Sequence, residues 1–246
     1  MILVTEKAEI MKLRSLFLAM AGALILTGGI VPKANAVLVT YFNFNDAILN
    51  GAPDLTSDAP GVQSSTLVVA GETNTAVTGI NLNIAAGDPE PFGLGIGFSD
   101  NEELSNATMT FQVNTLGLSM LSLSFAITGN SGGYDIATGS FSTNGGVTFS
   151  TVGVSGPVAL PNNGTNQLVT FTYPATVNNL GSVLFRVTLS GADETENVTN
   201  PRTTVDNIQL NAVPEPATVM GGLLGVCGLC WHQRRRLIGL LRLRLA

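Results

Sequence analysis

Between residues 37 and 212 this chain has no histidine and no cysteine. That single absence removes Ser-His-Asp and Cys-His nucleophile pairs and His-based zinc sites from the stretch. What remains for chemistry is carboxylates, amides and hydroxyls. Three pairs of acids stand out: Asp88 with Glu90, Glu102 with Glu103, and Glu194 with Glu196. Glycoside hydrolysis needs two carboxylates facing each other across a sugar, roughly 5–10 Å apart. These acids are near neighbours in polar, loop-like contexts and read as solvated surface. The expectation is therefore that the chain has no catalytic residues and is not an enzyme.

A second chemistry open to these residue types is calcium binding. Ca²⁺ takes roughly six to eight oxygen ligands from carboxylates, amides and carbonyls. Asp206 near the end of the stretch supplies one candidate oxygen, and Asn43, Asn45 and Asp46 near its start supply others, provided the first and last strands pair. The competing reading has Asp206 and Asn207 bonded to nearby backbone through their side chains. Sugar binding is a third possibility, and it ordinarily uses an exposed aromatic platform. Residues 37–212 contain no tryptophan and three tyrosines, Tyr41, Tyr134 and Tyr173. Tyr173 shares an alternating face with Val169 and Phe171, which points it into a core. Tyr134, beside Gly132, Gly133 and Asp135, is the candidate ligand-binding residue.

Charge narrows the partners. Residues 37–212 carry two cations, Arg186 and Arg202, against fourteen acids, a net charge of −12, although the whole chain carries only −6. Such a surface repels phosphate backbones, so nucleic acid is excluded as a partner, and it attracts hard cations.

The elements that must position these residues have a period of two. Leu121, Leu123, Phe125 and Ile127 alternate with Ser122, Ser124, Ala126 and Thr128; Val183, Phe185, Val187 and Leu189 alternate with Leu184, Arg186, Thr188 and Ser190. Each pattern sends one face to a core. Further strands are predicted at 38–44, 63–69, 76–84, 92–98, 107–113, 134–142, 147–152, 169–173 and 204–211. Asn144-Gly145 between two such runs predicts a hairpin. No segment has a convincing amphipathic helix. Ten or eleven regularly spaced strands predict an all-β fold, an antiparallel β-sandwich of jelly-roll type.

The two ends differ in kind from this middle. Lys12 and Arg14, an apolar run at 16–31 and Ala34-Asn35-Ala36 have the form of a signal peptide over residues 1–36, with translation starting at Met11 and cleavage by signal peptidase after Ala36. The alternative is a retained N-terminal membrane helix. At the C-terminus, Val213-Pro214-Glu215-Pro216 precedes an uncharged stretch from 217 to 231 and then Arg234, Arg235 and Arg236. The prolines hold the tag extended, and the apolar stretch predicts a transmembrane helix at 217–233 followed by a basic tail on the cytoplasmic side. Cys227 and Cys230 lie within that helix; with no second ligand pair they read as small membrane residues.

This tail resembles the PEP-CTERM sorting signal of exported bacterial proteins. The resemblance implies recognition by an exosortase, transient anchoring in the inner membrane and delivery to the cell surface or an extracellular, exopolysaccharide matrix. The ten residues after Arg236 depart from the usual pattern, in which the tail stops soon after its arginines. Three further segments resemble jelly-roll, lectin-like or carbohydrate-binding β-sandwich modules: Tyr41-Phe-Asn-Phe-Asn-Asp46, Phe141-Ser-Thr-Asn-Gly-Gly-Val-Thr-Phe149 and Arg202-Thr-Thr-Val-Asp-Asn-Ile-Gln-Leu210. The last is similar to the closing strand of such modules, where the aspartate often ligates structural calcium. The expected organisation is thus 1–36 signal peptide, 37–212 β-sandwich and 213–246 sorting signal. The expected function is a structural or adhesive role with exopolysaccharide, or alternatively specific carbohydrate binding with structural calcium.

Overall fold

The computed structural model describes residues 35–45, 55–57, 63–71, 73–86, 93–99, 106–191, 202–215 and 228. All of them belong to one unit, Asn35–Ala246. Eleven strands form among them: β1 (Val37–Phe42), β2 (Val68–Ala70), β3 (Thr73–Thr78), β4 (Leu94–Ser99), β5 (Ala107–Val113), β6 (Leu118–Gly129), β7 (Ile136–Ser142), β8 (Val158–Ala159), β9 (Gln167–Thr172), β10 (Val183–Ser190) and β11 (Thr203–Pro214). Within 35–215 the helical content among the described residues is one 3₁₀ turn, Ala175–Val177. The fold class is the predicted one.

The strands make two antiparallel sheets. One runs β3-β4-β11-β6-β9, with β1 also paired to β11; the other runs β2-β5-β10-β7-β8. From β4 to β7 and again from β8 to β11, consecutive strands cross from one sheet to the other, the winding of a jelly roll. Alternation decides which face is inside. In β10, Val183, Phe185, Val187 and Leu189 are buried while the residues between them are partly open. In β6, Leu121, Leu123, Phe125 and Ile127 are buried likewise, with Ala126 between the last two buried as well.

Aromatic rings stitch the two sheets together. Phe42 of β1 lies 5.4 Å from Phe111 of β5, Phe111 lies 5.8 Å from Phe185 of β10, and Tyr173 after β9 meets Phe185 edge-on at 4.7 Å. Phe42 and Phe185 are fully enclosed; such burial stabilises by about 1.5–3 kcal/mol per side chain. The close approach of the sheets fixes one glycine. A Cβ on Gly139 of β7 would sit 2.8 Å from the Phe171 ring of β9.

Three predicted strands are corrected. The run 63–69 contributes only its end to a short strand, Val68–Ala70. The run 147–152 is not a strand, and the Asn144-Gly145 hairpin does not form. Gly145 and Gly146 both take positive φ, 72° and 90°, and local side chains hold a wide loop: Ser142 Oγ accepts from Gly146 N (2.9 Å) and Asn144 Oδ1 accepts from Thr148 N (3.1 Å). Only Phe141 and Ser150 bridge across it. The predicted strand 76–84 is displaced to Thr73–Thr78. Beyond Gly79 the chain bonds to side chains of β11 rather than to a strand.

Candidate functional site

The expected calcium residues converge on a junction in the first sheet. β11 pairs with β6 from Thr203 to Pro214, but β4 pairs only with its first residues, Thr203 to Val205, and β1 with its later ones, Ile208 to Ala212. Asp206 and Asn207 sit where the neighbour changes and where the register against β6 shifts. Ladder bonds lapse there, so side chains must satisfy the backbone. Asp206 Oδ2 accepts from Ile80 N (2.6 Å) and Oδ1 from Asn207 N (2.7 Å). Asn207 adopts φ 51°, a conformation that asparagine tolerates. Its Nδ2 donates to the carbonyls of Ile80 and Leu82, both at 3.0 Å, and its Oδ1 accepts from Tyr41 Oη at 2.5 Å.

Neighbouring amides extend the cluster. Asn83 Nδ2 donates to Asn207 O (2.6 Å), Asn45 Oδ1 accepts from Leu94 N (2.7 Å), and Asn43 Oδ1 accepts from Asn45 N (3.2 Å). Two glycines admit this crowding: a Cβ on Gly79 would lie 2.7 Å from Asp206 Oδ2, and one on Gly93 would lie 1.7 Å from Asn45 Oδ1. The first and last strands do pair, and Asp206, Asn43 and Asn207 are all buried. The oxygens foreseen as calcium ligands accept backbone N–H groups in this structure. Asp46 lies outside the described residues. Among the described residues no three His, Cys, Asp or Glu side chains gather as a metal site.

Tyr134 is corrected as an exposed platform, being only 4 % exposed. Gly132 and Gly133 let its loop close onto the start of β11, where Asn130 N donates to Arg202 O and Tyr134 N donates to Thr203 Oγ1. The ring turns inward and meets Phe98 edge-on at 6.3 Å. Tyr41 and Tyr173 are buried too. Tyr173 Oη has no hydrogen-bond partner among the described residues, and burial pushes its phenol well above the usual range.

A second polar surface lies on the outer face of the second sheet, partly open although Thr110, Ser140 and Ser142 on it are buried. Strand alternation and register place Thr108, Thr110 and Gln112 of β5 beside Thr188, Arg186 and Leu184 of β10, and these beside Thr138, Ser140 and Ser142 of β7. Arg186 is at the centre. Its Nε donates to Thr110 Oγ1 (3.0 Å), and its guanidinium carbon lies 3.5 Å from the centroid of the Phe149 ring. The wide loop after β7 thus delivers Phe149 to the sheet face, and a Cβ on Gly146 would lie 3.6 Å from Leu184. Burial lowers the pKa of the guanidinium from its usual value. A groove of about 510 Å³, lined by Gln63, Ser65, Thr66, Thr110, Gln112 and Leu184 among others, is joined to Arg186 through Thr110, which lines it and accepts from Arg186 Nε. Sequence reasoning placed Arg186 on this face without a role. The signal was its rarity, one of two cations in residues 37–212; Phe149 was hidden because 147–152 read as strand.

The tag residues Val213 and Pro214 close β11, paired with Ser119 and Leu118 of β6, so the strand runs two residues past the predicted boundary. Glu215 N then donates to Gly117 O at 2.8 Å. Pro216, Arg234, Arg235 and Arg236, both cysteines and the three acid pairs lie outside the described residues. So does the predicted signal peptide apart from Asn35 and Ala36, and so does the predicted helix 217–233 apart from Gly228, which is helical. Among the described residues no helix is long and apolar enough to cross a membrane.

No family model and no curated protein matches the chain. Solved structures similar to it include a carbohydrate-binding module from a β-sandwich superfamily described as promiscuous in specificity. That pair shares 17 % identity over 70 % of this chain and 61 % of the other, with a TM-score of 0.44. The CBM22-1 xylan-binding domain of Paenibacillus barcinonensis Xyn10C shares 9 % identity over 74 % of this chain and 98 % of its own, with a TM-score of 0.43. TmCBM61, solved with β-1,4-galactotriose, shares 18 % identity over 58 % of this chain and 86 % of its own, with a TM-score of 0.36. With every one of these scores below 0.5, the assignment of a β-sandwich rests on the strand pairing itself.

Proposed function

We propose that this chain is an exported, non-catalytic surface or matrix protein whose sandwich contacts polysaccharide. The observation that carries the reading is the outer face of the second sheet, where hydroxyl and amide side chains border a groove of about 510 Å³. That size lies within the roughly 300–1,000 Å³ of small-ligand sites, and side chains of this kind match the hydroxyls of a sugar chain. The ends of the chain supply the destination. Residues 1–36 act as a signal peptide, and residues 213–246 act as a sorting signal read by an exosortase, with 217–233 as a transient inner-membrane anchor. Affinity electrophoresis of the full chain through gels containing a panel of polysaccharides tests the contact. Retardation without hydrolysis is expected; mobility unchanged in every gel would overturn the reading. The sorting signal is tested separately by export in a host with an exosortase, where Pro214→Ala with Pro216→Ala should leave the unprocessed mass.

A second reading adds structural calcium at Asp206, favoured by the buried oxygens of Asp206 and Asn43 together with the half-buried Asn45. A hard cation there would tie β1 to β11 and stabilise the fold without taking part in any reaction. Thermal melts in EDTA and in added Ca²⁺ decide it. A rise in Tm with calcium, absent with magnesium, is expected, and identical melts would remove the ion.

A further inference from the structure

We infer that the groove beside Arg186 is a subsite for a uronate, a carboxylated sugar unit within an acidic polysaccharide. The inference rests on the polysaccharide reading above and specifies its ligand class. Arg186 is fixed in place from two directions, with Nε on Thr110 Oγ1 at 3.0 Å and the guanidinium carbon over the Phe149 ring, 3.5 Å from its centroid. Two contacts of this kind remove most of the rotamer freedom of a long side chain before any ligand arrives. Arginine carries five N–H donors. Thr110 takes one, and among the described residues no carboxylate lies within ion-pair distance of the rest. A planar, partly desolvated fork of donors is the partner that a carboxylate meets with two parallel hydrogen bonds.

The surroundings decide what carries that carboxylate. Thr110 both anchors Arg186 and lines the groove, and Leu184, two residues away on β10, lines it too. The groove wall is already set: Gln63 Nε2 donates to Asn114 O (2.6 Å), Gln63 Oε1 accepts from Asn114 N (2.9 Å), and Ser65 Oγ donates to Gln112 O (2.9 Å). A row of hydroxyl and amide groups beside one cation suits a molecule with several hydroxyls and one negative charge. A neutral sugar would look for an aromatic face, yet the three tyrosines are buried and Phe149 gives a face to Arg186. A dense polyanion such as nucleic acid or a heavily sulfated chain would be repelled by a domain with a net charge of −12. A chain in which uronates are spaced by neutral sugars carries a lower charge density and meets one guanidinium with less of that penalty.

Affinity electrophoresis of the full chain in mild detergent tests this with three gels: a uronate-containing polysaccharide, the same polymer with its carboxyl groups chemically reduced to alcohols, and a neutral polysaccharide. Stronger retardation by the native polymer than by its reduced form is expected, and it should fade as NaCl is raised. Arg186→Gln should weaken binding about tenfold or more, and Arg186→Lys, which keeps the charge but loses the fork, should fall between. The melting curve of each variant checks folding, while the carboxyl-reduced polymer tests the unaltered protein. Equal binding to native and reduced polymer, undisturbed by Arg186→Gln, would overturn the uronate and leave polysaccharide contact standing. Retardation by none of the three would overturn both.

Discussion

Two polar regions of this sandwich are built from similar side chains and do opposite things. At the β11 junction, a carboxylate and the amides of Asn43 and Asn207 are buried, and the polar atoms of Asp206 and Asn207 described above are bonded to backbone groups and to the Tyr41 hydroxyl. On the outer face of the second sheet, Arg186 is held at two points and keeps donors to spare, near an open groove. The difference lies in where unsatisfied groups remain. A buried polar cluster is stable only when its members have partners, so the junction is spent on structure. The open face can leave donors to water until a ligand replaces the water.

The contrast can be broken most forcefully at Asp206. Asp206→Ala leaves the amides of Ile80 and Asn207 without their acceptor, and a loss of about 2–5 kcal/mol is expected by urea denaturation. A change below 0.5 kcal/mol would show that water or a second acceptor replaces the carboxylate. Tyr173 tests the rule from its exception, a buried hydroxyl without a partner among the described residues. Tyr173→Phe should be neutral or stabilise by up to about 1 kcal/mol. It should also change the alkaline limit. The phenol is raised by burial in the folded state, so folded protein holds a proton that the unfolded chain loses above a pH of about 10. This contribution to stability is complete below that pH and declines as pH rises beyond it. The Phe variant should lack that part of the decline in a pH series of melts. The open face should answer more weakly than the junction: Arg186→Gln gives up one hydrogen bond and one cation–π contact and should cost about 1 kcal/mol. A large loss there would make Arg186 structural and erase the contrast.

The same division explains what could be read in the residues beforehand. Strands whose inward face is uninterrupted, such as β5 and β10, follow directly from alternation. At β11 the inward series Val205, Ile208, Leu210, Ala212 skips a beat after Val205, a visible sign of the irregularity at Asp206 and Asn207, although the partners Ile80, Leu82 and Asn83 come from a segment that alternation assigned to a strand. The Phe149 loop was not legible because Val147, Phe149 and the residues around them alternate well. Two successive left-handed glycines and the Ser142–Asn144 side-chain bonds override that pattern, leaving Val147 and Val152 about four-fifths exposed. Tyr134 misled for a related reason: glycines beside an aromatic suggest an open tip, whereas here they allow the chain to fold the ring under.

The path of β11 has a mechanical consequence. Its last residues continue straight into the tag, and its ladder with β6 spans Thr203 to Pro214. Tension applied to the chain beyond Glu215 enters the domain along the axis of this inner strand. Ladder hydrogen bonds stand perpendicular to the strand, so such a pull loads them together, in shear, with β1 sharing the load at Ile208 to Ala212. A domain tethered by its tail would hang from its most extensively bonded strand, and would resist being drawn out from that end more than from a short edge strand such as β8.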